Sequence, residues 1–282
     1  MSSSLVSDVK LKKRGKFKVI EIDGQTGKGI TKLAAKCFYP NYNFHELDKY
    51  PSNKKKKVKG GIKTGNQLDR EVQQSVKLQK EYSLPFDSFF CSKEKAERIA
   101  KEKSMLVTHK KQLLAAVNDN KRVPYVQGFW KLMRGLQLRP VETQLGVKHE
   151  TFKLATLLDV VCLDTSTGKY HIIELKTGGE GYYTKANGNM NYPFQDQTNC
   201  QANQHQIQLA IEERFFKATF PTRTFESHIM LFDNDGIVVI ELKDIFRARI
   251  DAALEVMAKR TDRKRKSETS NSEKKTKRTK TL

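Results

Sequence analysis

Apolar positions along this chain recur with two periods, and the switch between them lays out the elements. Phe17 to Ile22 alternates as a short strand, and Ile30 to Phe38 follows a Gly-rich turn. Residues 93 to 117 read as one long helix anchored by Ile99, Leu106, Leu113 and Leu114. Val126 to Leu136, with Phe129, Trp130, Leu132 and Met133, reads as core. Two runs read as buried strands, Leu154 to Leu163 and Ile172 to Lys176, flank the polar turn Asp164 to Lys169. A helix is expected over Asn203 to Ile211. Ser227 to Phe232 and Ile237 to Leu242 flank Asp233-Asn234-Asp235-Gly236 as a hairpin. Asp244 to Met257 closes the pattern as an amphipathic helix. The sum is an α/β fold with a mixed central sheet flanked by helices.

Two of these runs carry charges where burial is expected. Asp159 interrupts the first, and Glu174 and Lys176 lie in the second. Buried charges are costly unless they are paired or hold a metal. If Asp164 pairs with Lys169 across the turn, Asp159 lies directly opposite Glu174, with Cβ atoms roughly 4.5–5.5 Å apart. Side chains two apart on a strand share a face, so Asp159, Glu174 and Lys176 should converge. Two close carboxylates with water suit Mg²⁺ or Mn²⁺, which polarises a phosphate and acidifies a bound water. Lys176 could orient or deprotonate that water. An ordinary hairpin with a buried salt bridge is the plainer reading of the same residues.

Asp159, a turn, Glu174-Leu175-Lys176-Thr177-Gly178 and a Gln-containing helix resemble the PD-(D/E)XK nuclease superfamily, in its lambda-exonuclease-like and RecB-type branch. The resemblance covers roughly residues 60 to 255, with its specific motifs at 138 to 211. It implies a restriction-endonuclease-like core, with Asp159, Glu174 and the backbone carbonyl of Leu175 as metal ligands and Lys176 as the catalytic lysine. The site glutamine would be Gln208, with Gln204, one turn earlier on the same face, as the alternative. Glu142, on the strand before Asp159, and Glu71, on an earlier helix, are implied as accessory acids. Asp69 stands where that helix often carries His, and Glu212 where Tyr often follows the Gln.

Composition adds the partner. With 53 Lys and Arg against 32 Asp and Glu, the net charge is +21, which points to a polyanion, most simply nucleic acid. Lys54, Lys55, Lys56, Lys57 and Lys59 form a dense basic run, read as a loop that contacts DNA. Residues 178 to 199 hold Tyr182, Tyr183, Lys185 and several Asn, the composition of a flap that grips a single strand or of a disordered insertion. Gln204 could also reach the nucleic acid. From Lys259 onward eleven basic and three acidic residues read as a disordered tail, suited to nuclear import or DNA tethering.

The remaining signals exclude more than they assign. Asp23 to Thr31 lacks the spacing of a phosphate loop, which disfavours a kinase. Cys37, Cys91, Cys162 and Cys200 are scattered, and the six histidines show no ligand spacing, so a reduced intracellular protein without structural zinc is expected. No apolar run is long enough to span a membrane. The expected organisation is a flexible basic arm over 1–18, one nuclease domain over 19–258 and the tail over 259–282. The expected activity is Mg²⁺-dependent DNA cleavage, with Mn²⁺ as a substitute, by an exonuclease of recombination, repair or genome processing. It would act on duplex ends or a single strand, as a monomer or homo-oligomer, in the nucleus or else the cytoplasm. A noncatalytic nucleic-acid-binding module and a structure-specific endonuclease are the alternatives.

Overall fold

The structure, a computed structural model, describes residues 5, 9–14, 17–22, 25–27, 30–40, 52–121, 123–178, 182–184, 188–233 and 235–279. Strands β1 (Lys10–Arg14), β2 (Phe17–Ile22) and β3 (Gln25–Gly27) form a small antiparallel sheet, so part of the expected arm is ordered strand. Helix α1 (Ile30–Phe38) follows as expected, and α2 (Ser52–Tyr82) is the earlier helix that carries Glu71. Residues 54–59, read as a loop, lie in the first turns of α2 because lysine is a good helix former. Their side chains lie outside the described residues.

The expected 93–117 helix is two, α3 (Lys93–Glu102) and α4 (Val107–Val117). Ser104 takes φ 48°, and the Met105 amide reaches back to the Ala100 carbonyl at 2.9 Å. This is the C-terminal closure usually given to glycine, and no periodicity announces it when serine supplies it. Leu106, expected in the core, caps α4 from the outside and is 61 % exposed. Helix α5 (Tyr125–Gly135) behaves as read. Trp130 is fully buried, stacks on Phe89 and donates from Nε1 to Ser75 Oγ at 2.9 Å.

The main sheet runs in sequential order through β4 (Leu138–His149), β5 (Leu154–Asp164), β6 (Tyr170–Thr177), β7 (Phe225–Phe232) and β8 (Ile237–Glu241). Its pairs are antiparallel except β6 with β7. That parallel pair needs a crossover, supplied by α6 (Gln201–Thr219). The fold is therefore α/β with a mixed five-stranded sheet flanked by helices. One face packs Val161, Ile172 and Ile229 against Phe38, Phe215, Phe216 and Phe246. The other packs Val160, Ile173, Leu175 and Met230 against Leu68, Phe89 and Trp130. Burial of both faces explains why β5 and β6 read as continuous apolar runs.

Helix α7 (Asp244–Thr279) closes the first face with Phe246, Ile250, Leu254 and Met257. It continues through the tail, so residues 259–279, expected to lack structure, are helical; no Gly or Pro interrupts them. Among the described residues no helix is long and apolar enough to cross a membrane.

Candidate active site

The turn sets the site. Asp164 N–H donates to the Lys169 carbonyl at 2.9 Å, and Gly168 supplies φ 72°. The resulting register pairs Leu163 with Tyr170 and Val160 with Ile173, as the sequence requires. One step further, at Asp159 and Glu174, the ladder stops. The freed Leu175 N–H donates instead to Asp159 Oδ2 at 3.0 Å. The strands part there, and their charged side chains fill the gap.

Glu174 is the centre. Its Oε1 accepts from Lys176 Nζ and from Gln208 Nε2, and the same Gln208 amide donates to Glu212 Oε1 at 2.9 Å. Gln208 and Glu212 are one turn apart on α6, so the helix presents both to the sheet. Helix α2 crosses the C-terminal end of β6, where a Cβ at Gly65 would lie 3.6 Å from Thr177 Oγ1. One turn on, Asp69 comes close enough for the Asp159 charge to act on it.

The electrostatics follow from burial and crowding. Burial first, then the neighbouring Glu174, pushes Asp159 up to about 8. Burial and Glu212 push Glu174 to about 8 against the pull of Lys176. Burial, with Asp159 beside them, raises Asp69 and Glu212 to about 7. For Lys176 burial disfavours the ammonium most, yet Glu174 and Asp159 outweigh it and hold the proton on. Four carboxylates face one ammonium, so they are ionised together only if another cation joins them. Among the described residues, Glu174 Oε2 and Glu212 Oε2 are buried with no hydrogen-bond partner. An all-oxygen donor set with two vacant buried oxygens fits a hard divalent cation. The Lys176 side chain keeps 18 % of its surface against 2 % for Glu174, which puts the lysine at the mouth.

Other expected residues lie elsewhere. Glu71 accepts from Lys121 at 2.6 Å and from Gln67 at 2.8 Å. Residues two apart on a helix diverge by about 200°, so Asp69 and Glu71 cannot both face the site. Glu142 pairs with Lys80 at 2.8 Å on the surface. A register shift between Pro140 and Glu142 puts Gln144 opposite Asp159, and its Nε2 donates to Asp159 Oδ1 at 3.2 Å. Gln204 donates to Asn199 Oδ1 at 2.9 Å, which leaves Gln208 as the glutamine of the cluster.

The 182–199 segment is pinned rather than loose where it is described. Tyr182 is 3 % exposed and its hydroxyl meets His205 Nδ1 at 2.8 Å, so it offers no ring face for stacking. Met190 and Phe194 enter the core, and Asn191 and Asn199 donate to the carbonyls of Cys37 and Pro40. Tyr183 is exposed, and Lys185 lies outside the described residues. Sequence reasoning missed Asp69, Gln144 and Glu212 as members of the cluster. For Glu212 the signal was an acid in the middle of an apolar helix face.

No protein-family profile matches the sequence, and no curated protein matches it. Several solved structures are similar to the chain at low scores. One is a protein described only as a candidate exonuclease from Eubacterium rectale, with 15 % identity and a TM-score of 0.32, over 63 % of this chain and 62 % of that one. This chain thus spans less than two thirds of that protein. Another, designated SSO0001, has 13 % identity and a TM-score of 0.26, over 70 % of this chain and 87 % of that one. Likeness at this level concerns the course of the chain and not its chemistry.

Proposed function

We propose that this chain is a Mg²⁺-dependent deoxyribonuclease, an exonuclease in the manner of the PD-(D/E)XK enzymes its motifs resemble. One observation carries the reading: Asp69, Asp159, Glu174 and Glu212 converge with Lys176 and Gln208 where β5 and β6 part, and two of the carboxylate oxygens are buried without hydrogen-bond partners among the described residues. Asp159 and Glu174 would hold the ion, with the Leu175 carbonyl and Glu212 beside them. Bound there, the ion supplies Lewis acidity toward a phosphate oxygen and a more acidic water.

The chain's own residues do the rest. Leu175 N–H and the Gln144 amide fix both oxygens of Asp159. Gln208 holds Glu174 and Glu212 at a set separation. Lys176, protonated and at the mouth, donates to the phosphate or the attacking water and offsets charge building on the phosphate. The +21 charge draws DNA in, with Lys54–Lys59, Tyr183, Lys185 and the tail as the proposed contacts. Roles in recombination, repair or genome processing, a homo-oligomeric state, and nuclear location through an import receptor on the tail complete the proposal.

The test is cleavage of linear duplex labelled at either end and of a closed circle, in Mg²⁺ or EDTA, by wild type and Lys176→Ala. Mg²⁺-dependent release of mononucleotides from one end, lost in the variant and on the circle, is the expected result. Cleavage of the circle would make the enzyme an endonuclease. DNA binding without cleavage of either substrate would make it a noncatalytic module.

A further inference from the structure

A second cluster lies on the other face of the same strand. His171 and Glu174 are three residues apart on β6, so their side chains leave opposite faces about 10 Å apart along the strand. The parallel register sets His171 beside Glu226 and Ile173 beside His228. His171, Glu226 and His228 therefore share one face at the margin of the sheet. His171 Nδ1 and His228 Nε2 are 3.1 Å apart, and Glu226 Oε2 lies 3.9 Å from the first and 3.7 Å from the second.

We propose that His171, Glu226 and His228 form a binding site for a borderline divalent cation of the Zn²⁺ class, separate from the carboxylate cluster. Metal–ligand bonds of about 2.0–2.2 Å in a tetrahedral centre place neighbouring donors ~3.4 Å apart. The three atoms already form a triangle with sides close to that, and small rotations close it. Two imidazole nitrogens select Zn²⁺ over Mg²⁺, which prefers oxygen alone. Lys169 Nζ holds Glu226 Oε1 at 2.6 Å and leaves Oε2 turned toward the rings. The rings stack, with centroids 5.3 Å apart, so each is held in place.

Burial, the larger influence on both, lowers the two histidines, with Glu226 pulling the other way. Asp164 also raises His171 and Lys169 lowers it, while Glu241 raises His228 and His171 and Arg247 lower it. Among the described residues His228 Nδ1 is buried without a hydrogen-bond partner, and Nε2 is the nitrogen that meets the site. Cys162, opposite His171 on β5, is engaged by Met133 Sδ at 3.5 Å and stays outside the set. A water would complete the coordination. The ion would clamp β6 to β7 at the end away from the carboxylates.

The experiment titrates the full chain, stripped with EDTA and dialysed into excess Mg²⁺, with Zn²⁺ by calorimetry and with Co²⁺ by visible absorption. One equivalent should bind, with the intense absorption of tetrahedral Co²⁺. Glu226→Gln, a surface change that leaves folding intact, should weaken binding at least tenfold. The pair His171→Ala and His228→Ala should abolish it, and Glu174→Gln should leave it unchanged. Absence of binding to wild type, equal binding to Glu226→Gln, or loss only in Glu174→Gln would each overturn the proposal.

Discussion

Gln144 reaches Asp159 from a strained backbone: its Nε2 donates to Asp159 Oδ1 at 3.2 Å while its φ is 52°. A left-handed residue other than Gly or Asn costs about 1–2 kcal/mol. That conformation interrupts β4 opposite Asp159, and such strain commonly marks a functional position. Gln144→Gly and Gln144→Ala both remove the amide, but only glycine relieves the backbone. The glycine variant should be more stable than the alanine variant by about 1 kcal/mol in urea unfolding, while both lose cleavage alike. Equal stability would mean the conformation is not strained.

Glu212 tests the crowding of the cluster. Its charge is the chief neighbour raising Glu174, and its Oε2 has no hydrogen-bond partner among the described residues. Glu212→Gln should raise the melting temperature in EDTA, since a buried charge and a repulsion both go. A cation at a hundred times its dissociation constant stabilises by about 2.7 kcal/mol. Wild type should therefore gain more from Mg²⁺ than the variant does, as read by paired thermal melts.

Glu71 and Glu142 should be dispensable for chemistry. Each is paired with a lysine away from the cluster, Lys121 and Lys80. Glu71→Gln and Glu142→Gln should keep cleavage within about twofold, because each acid is engaged by a lysine outside the cluster. Asp69→Asn should lower it at least tenfold, measured as kcat on the labelled duplex.

Without metal, stability should fall as pH rises. Asp159 and Glu174 are raised to about 8, and Asp69 and Glu212 to about 7, whereas unfolded carboxyls titrate near about 4. Between those values the folded chain binds more protons than the unfolded one, so the slope of unfolding free energy with pH is negative. Stability from these groups is present below about pH 4 and lost through pH 7–8. Melting temperatures in EDTA should drop by several degrees from pH 5.5 to 8.5, and Mg²⁺ at the upper pH should restore them.

The tail can be removed at a definite point. Arg260 Nη1 donates to the Lys36 carbonyl at 2.7 Å, and Thr261 is buried with Oγ1 on the Met257 carbonyl. Truncation after Thr261 should leave the melting temperature unchanged and weaken DNA binding. The slope of log affinity against log salt should become shallower by about 0.9 for each phosphate that the tail had neutralised. An unaltered slope would show that the tail does not touch DNA.

The sequence by itself determined what is local. A polar turn from Asp164 to Lys169 sets the β5–β6 register, and the apolar runs around Asp159 and Glu174 announce buried charge. The hairpin over 225–241 was likewise legible from period and turn chemistry. Tertiary structure decided what depends on direction in space. The shift after Pro140 put Gln144 rather than Thr143 opposite Asp159, Glu142 went to Lys80 at the surface, and the phase of α2 chose Asp69 over Glu71. His171 and His228 are 57 residues apart and meet only because α6 returns the chain in parallel. Spacing along a chain fixes which side chains share an element's face, but proximity between elements is set by packing, which no local period encodes.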